Sequence, residues 1–353
     1  MKKYLSIILS FVLIIFLCCA CSEGSSGEKN TLSNKKQDSE IVDLLNQTTE
    51  GKSSKNPNQM QMSGSIPEYM RGWNDKKSDN DVIYTYEGGE FVVSHHISNG
   101  SFKTVYGLCV LLDGVFQDFY IIDENSKEKS EQSKVLTLTM EKDAEKSFEI
   151  HFVPNIGKKG DTLELSVGLY FNYNYTIHEG ATFLNYGNNH DFRDVKCRRI
   201  RMDADCKNEE RIEEYTSEIM SINKDVLDVH NYDEPDETII TYIYTDSIKD
   251  GVAGSAIKAV AKSKNDYYLD LIAPTGVYRV SVFIDHIQQE LYDGVKYFDV
   301  KTQTGKTSHI KVTLDNTKLS GWHHIYYMVR RIDGQFDYAK TTTKSDTYIL
   351  ILQ

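Results

Sequence analysis

Positive charge is in short supply: 40 Lys and Arg stand against 52 Asp and Glu, a formal net charge of −12. A general nucleic-acid binder needs a basic surface to displace phosphate counterions, so that class is excluded. Long apolar runs are equally scarce. One occurs, at the very start, which excludes a polytopic helical membrane protein. Of six cysteines, Cys18, Cys19 and Cys21 fall at the end of that run, leaving only Cys109, Cys197 and Cys206. That is no disulfide-dense scaffold. Cys197 and Cys206 either close one loop or stay as free thiols, and Cys109, inside an apolar strand pattern, reads as core. No G-x-S-x-G, H-E-x-x-H or G-x-x-x-x-G-K-[ST] motif occurs, and no cysteine pair has zinc spacing backed by a second pair. The chain therefore reads as non-catalytic, without a cofactor. Its 353 residues leave room for about two domains.

What is present begins with a compartment signal. Met1-Lys2-Lys3 is positive, Leu5 to Leu17 is apolar, and Cys18-Cys19-Ala20-Cys21-Ser22 follows. This order marks a secretory signal rather than a spanning helix. Its end resembles the lipobox of bacterial lipoproteins. The resemblance covers the first twenty-two residues. It implies that Ala20 precedes the cut and that Cys21 becomes the lipidated N-terminus at residue 21. Cys18 stands where Leu is usual, which leaves Cys19 as the alternative. It also implies a protein held to a membrane by acyl chains, on the extracytoplasmic face. Each buried CH₂ contributes about 0.8 kcal/mol, and two or more chains make the anchor stable.

From Ser22 to about Asn80 the residues are mostly Ser, Asn, Lys, Gln, Glu and Gly without apolar periodicity. Such a segment, 22–80, reads as a disordered tether. Ile66 to Met70, with Trp73, is its one stretch able to dock on a folded domain. Beyond it the pattern turns to period two: Leu136, Leu138 and Met140; Phe148, Ile150 and Phe152; Leu163, Leu165, Val167, Leu169 and Phe171. These are half-buried strands. Asp113-Gly114 between two apolar runs signals a hairpin. Segments 81–180 and 236–353 each carry enough short strands for an immunoglobulin-like sandwich.

The two segments also align. Val105–Tyr120 and Val277–Tyr292 share Val, Tyr, Val, Asp, Gln and Tyr at the same offsets, including Asp113/Asp285 and Gln117/Gln289. Ser147–Phe152 is set beside Ser308–Thr313, followed by Asn155 or Asn316 and Gly160 or Gly321. The predicted fold class is mostly β: two tandem antiparallel sandwiches, the second an internal repeat of the first. Between them, 181–235 reads as a linker. Ile212, Tyr215, Ile219 and Ile222 have helical spacing, with a strand as the alternative. Val252, Ala256, Ala259 and Val260 suggest another short helical face.

Candidate sites are few. His95-His96 and His323-His324 are adjacent pairs, and neighbours on a strand point to opposite faces, so neither pair chelates a metal easily. Asp203, Asp205, Asn208 and Glu209, and Asp233 to Glu237, offer oxygens but lack EF-hand spacing, so no metal site is expected. Lys196, Arg198, Arg199 and Arg201 form a basic cluster suited to a phosphate polymer or an acidic partner. Tyr173, Tyr175 and Tyr186 gather near a loop and are the most binding-like feature, as platforms for a sugar or a protein. Asp113 and Asp285 are the one carboxylate pair in equivalent places, although Asp at a hairpin turn usually serves backbone geometry. The expected function is a non-catalytic surface lipoprotein binding an envelope protein or a glycan. The alternative is an envelope enzyme, or an accessory subunit of an envelope complex or transporter.

Overall fold

The computed structural model describes residues 69–73, 83–100, 102–177, 179, 192–194, 198–223, 239–246, 256–333, 342–345 and 347–353. The signal segment and Cys21 lie outside them. Every regular element among the described residues is a strand. In chain order these are β1 (Tyr69–Trp73), β2 (Ile83–Tyr86), β3 (Phe91–Asn99), β4 (Thr104–Leu112), β5 (Val115–Phe116), β6 (Phe119–Asp123), β7 (Val135–Met140) and β8 (Ala144–Phe152). Then come β9 (Thr162–Tyr170), β10 (Phe192–Asp194), β11 (Arg198–Met202), β12 (Ile212–Tyr215), β13 (Glu218–Ser221), β14 (Ile240–Tyr244), β15 (Ala256–Ala259) and β16 (Lys264–Ile272). The last are β17 (Gly276–Ile284), β18 (Ile287–Gln288), β19 (Tyr297–Thr302), β20 (Lys306–Asp315), β21 (Gly321–Arg331), β22 (Thr343–Lys344) and β23 (Tyr348–Leu352).

Alternation drives these strands into layers. In β3, Phe91, Val93, His95, Ile97 and Asn99 are buried while the residues between them are not. The first sandwich pairs an outer sheet, β1-β3-β8-β6, with an inner sheet, β2-β11-β9-β4-β5, to which β7 and β10 are added. Phe148, Ile150, Leu165 and Val167 meet between them. The second pairs the outer sheet β13-β20-β16-β14 with the inner sheet β12-β19-β17-β21-β23-β15, plus β18 and β22. Leu269, Val280, Ile310 and Tyr327 fill its core. Each such side chain taken out of water contributes about 1.5–3 kcal/mol.

The pairings repeat. β3 joins β8 as β16 joins β20; β4 lies between β7 and β9 as β17 lies between β19 and β21. An edge strand runs parallel to the last strand in both: β2 beside β11, and β15 beside β23. Both sandwiches are immunoglobulin-like.

Several expectations are corrected. The helical spacing at Ile212–Ile222 belongs to two strands: β12 pairs with β19 and β13 with β20. Ladder bonds to waiting sheet edges outweigh a weak helical pattern. Ala256 to Ala259 is likewise a strand, β15, and Val252 lies outside the described residues. The segment read as a linker supplies β11 to the first sandwich and β12 and β13 to the second. The segment read as tether, 22–80, contains β1, paired with β3 from Tyr69 opposite Asn99 to Trp73 opposite His95.

The alignment of β8 with β20 is one residue out. Phe148, Ile150 and Phe152 point into the first core, and Ile310, Val312 and Leu314 into the second. Matching Ser147 to Ser308 sets inward residues against outward ones, because the side-chain period is two. The paired asparagines also differ in role: Asn155 bonds Phe116 O and Gln117, whereas Asn316 Nδ2 donates to Tyr267 OH at 2.7 Å.

Candidate functional site

The repeated Asp and Gln have local duties. Asp113 and Gly114, then Asp285 and His286, turn their hairpins with φ of 41°, 79°, 49° and 62°. Both central residues of such a turn are left-handed, which matches the strand twist. Asp113 Oδ1 accepts the Glu164 amide at 2.8 Å, and Asp285 Oδ1 accepts the His324 amide at 3.0 Å. Gln117 N donates to Val110 O and Gln289 N to Val282 O, both at 2.9 Å. Each carboxylate thus ties its hairpin to the neighbouring strand. The two stand in separate hairpins, each bonded to its own neighbouring strand.

The hairpins also carry the seam between the sandwiches. Cys109, Leu111, Phe116, Tyr170, Phe192, Phe283, Tyr326 and Met328 form a buried apolar cluster from both inner sheets. Phe283 and Tyr326 stack at 5.1 Å, and Phe116 lies 5.3 Å from Phe283. Tyr170 OH donates to Met328 Sδ at 3.2 Å. At one end, Arg279 donates to Asp113 O at 3.1 Å and forms a bidentate pair with Asp299, while Arg330 pairs with Glu164. Burial pushes the Asp113 carboxyl up to about 6, against the pull of Arg279 and Arg330.

At the other end, His286 packs 5.0 Å from Tyr170, 4.6 Å from Tyr173 and 4.4 Å from His324, with Nδ1 2.9 Å from Tyr326 OH. Burial, then the charges of His324 and Lys344, hold His286 far below the ordinary histidine range, and burial also lowers His324. Asp285 holds His323 Nδ1 at 2.6 Å and His324 Nδ1 at 3.1 Å. Adjacent histidines therefore converge after all, on a turn carboxylate rather than across a flat strand. Burial raises Asp285, but the His324 and His323 bonds outweigh it and keep the carboxyl below its usual range.

With both inner sheets committed to the seam, histidine, tyrosine and carboxylate groups collect on the far side of the outer sheets, where His151 and Asp270 are largely buried by their neighbours. On the second outer sheet, Asp270 Oδ1 meets His309 Nδ1 at 2.7 Å, and Tyr244 OH donates to Asp270 Oδ2 at 3.3 Å. Tyr268 stacks on His309 at 5.1 Å with an 11° tilt. Burial raises the Asp270 carboxyl, held back by His309 and Tyr244. Tyr327 OH, reaching from the inner sheet, fixes the Asp270 carbonyl at 2.7 Å. Lys311 and Asp266 pair at 2.7 Å beside this cluster.

The first outer sheet carries a similar group. His151 Nδ1 lies 3.1 Å from Glu90 and Nε2 3.4 Å from Glu149. His151 stacks on Tyr120 at 4.8 Å, Tyr120 OH donates to Glu90 at 2.7 Å, and Lys129 Nζ sits 3.6 Å over the other tyrosine face. Sequence reasoning missed both groups, because each joins residues from separate strands.

The predicted site residues lie elsewhere. Tyr173 packs over Gly107, where a β-carbon would come within 2.4 Å of its ring, and burial pushes its hydroxyl up to about 12. It belongs to the seam and is no open platform. Tyr175 is half-buried, its amide bonded to Asn172 O at 2.9 Å, and burial raises its hydroxyl. Tyr186, Lys196 and Cys197 lie outside the described residues. The arginines do not form one patch. In β11, Arg198 points inward and is 1% exposed, Arg199 is half-buried, and Arg201 points out and bonds Asp203 at 3.0 Å. Strand alternation separates what the sequence sets side by side. Cys206 carries a free thiol. Asp205 accepts the Lys159 amide at 2.7 Å, and Glu209 faces Lys158 at 3.7 Å. Asp233 to Glu237 lie outside the described residues.

No protein-family model and no curated protein matches this chain. Among solved structures, a Salmonella enterica SafA pilin in complex with the SafB chaperone is 10% identical, with 82% of this chain and 98% of that one covered at a TM-score of 0.24. The C-terminal domain of the Streptococcus agalactiae AgI/II polypeptide BspA is 8% identical, with 80% and 100% covered at 0.20. The secreted serine protease VesC from Vibrio cholerae is 12% identical over 80% of this chain at 0.19, and this chain spans 50% of its length. The sandwich architecture rests on strand order and register: two immunoglobulin-like β-sandwiches joined face to face through their inner sheets.

Proposed function

We propose that the protein is a non-catalytic binding module, anchored through lipid on Cys21 at the extracytoplasmic face of a membrane, whose outer sheets engage an envelope protein. The observation that carries this reading is the pair of histidine, tyrosine and carboxylate groups on the outer sheets. Tyr120 is covered by His151 on one face and Lys129 on the other, and Tyr268 is stacked on His309. Ring faces used in this way are not flat platforms for a sugar. They leave ring edges, a carboxylate and a lysine, which suit the hydrogen bonds and charges of a polypeptide. A glycan partner is the second-ranked reading.

Two measurements test it. Fractionation of cells expressing the full chain should place it with membranes, and Cys21→Ser should release it. Crosslinking and pull-down from native envelope should enrich a defined protein. Tyr268→Ala with His309→Ala, or Tyr120→Ala with His151→Ala, should reduce that enrichment at least about tenfold. Enrichment indifferent to both pairs, or selective binding on a polysaccharide array, overturns the choice of surface or of partner class.

A further inference from the structure

Sheet edges carry unpaired backbone groups, and proteins guard them with charge, proline or a covering loop. The two outer sheets treat the edge beside β8 and β20 differently. In the first sandwich that edge is β6, and its free side is covered by the loop that follows. Phe119 N donates to Ser133 O at 3.0 Å, Ser133 N to Phe119 O at 2.9 Å, and Ser130 N to Ile121 O at 2.9 Å. In the second sandwich the stretch after β18 closes a tight turn instead, Leu291 N to Val295 O at 2.7 Å. The place beside β20 is taken from upstream by β13.

Among the described residues no strand lies on the other side of β13. All of its residues are exposed, Ile219 at 40% and Met220 at 42%. Its side away from β20 meets no hydrogen-bond partner among the described residues. Thr216 to Asn223 contains no Pro, Lys or Arg, and Glu218 is its only charge.

We propose that β13 pairs antiparallel with β13 of a second copy of this chain, joining two outer sheets into one. An antiparallel pair related by a two-fold axis sets one residue opposite itself, so only registers centred on a residue are allowed. Centred on Ile219 or Met220, the axis passes through apolar side chains. Glu218 then faces Met220 or Ile222 of the other copy and never a second Glu218. Like charges are kept apart, and the centre is apolar with a polar rim. A strand this short forms a small interface, weak in dilute solution and strengthened when both copies share a confined surface.

Sedimentation velocity of the full chain in detergent, over a concentration series, should show a reversible monomer–dimer equilibrium. Ile219→Lys with Met220→Lys places like charges across the axis and should weaken it about tenfold or more, with the melting curve unchanged. Ile219→Val with Met220→Leu should preserve it. Under mild oxidation, one of Ile219→Cys and Met220→Cys should crosslink to itself above the level of the unmodified chain, and Glu218→Cys and Ser221→Cys should not. The cysteine series decides the matter even if the lysine pair fails to fold. A monomer at every concentration, a dimer indifferent to the lysine pair, or crosslinking at Glu218 or Ser221 overturns the proposal.

Discussion

Asp113 and Asp285 occupy equivalent turns under different electrostatics. Asp285 takes an amide and two histidines, which outweigh its burial, whereas Asp113 takes one amide and its burial outweighs the pull of Arg279 and Arg330. Asp285→Asn should therefore cost about 2–3 kcal/mol in urea unfolding at neutral pH, and Asp113→Asn less than about 1 kcal/mol. The same groups set a pH dependence. His286 and His324 are lowered in the fold, so they stay neutral while the unfolded chain binds protons. Their stabilisation is present above the unfolded histidine pKa and is lost as pH falls below about 6.5. Asp113 works the other way: raised to about 6, it relieves its penalty as pH falls through that value toward the unfolded one. Two histidines against one carboxylate should make stability decline from pH 7 toward pH 5. His286→Asn, which tolerates the left-handed turn, should flatten that decline in melts across the range.

At the scale of elements, period-two runs such as Leu163 to Phe171 and the Asp113-Gly114 turn were legible in sequence, because each strand's alternation records one core-facing side. Edge strands were not. β12 and β13 have few buried residues of their own and owe their form to β19 and β20. The outer-sheet groups were equally hidden, since His309, Asp270 and Tyr244 meet only after three strands align. A domain boundary at residue 236 cuts off both edge strands. A fragment of 236–353 should aggregate or show broad, non-cooperative unfolding, while 205–353 should melt more sharply, as circular dichroism would record. Inside the first inner sheet, Gly107→Ala drives a methyl into the Tyr173 ring and should destabilise by about 1–3 kcal/mol in the same assay.

At the scale of the whole molecule, the apolar seam should couple the unfolding of the two sandwiches. Calorimetry should show a single transition, and Leu111→Asp, which buries a charge among Phe116, Phe283 and Tyr326, should split it in two. The seam is close to two-fold: Gly114 lies against Arg330, and its counterpart His286 against Tyr170, the counterpart of Arg330. That is how a symmetric dimer would be arranged, except that its corresponding positions now differ. Two first halves set face to face would leave Asp113 without Arg279. Two second halves would press His286 onto Arg330 at both ends. Each half is thus complementary to the other and mismatched to itself, so the seam favours the pairing of unlike halves over that of like ones.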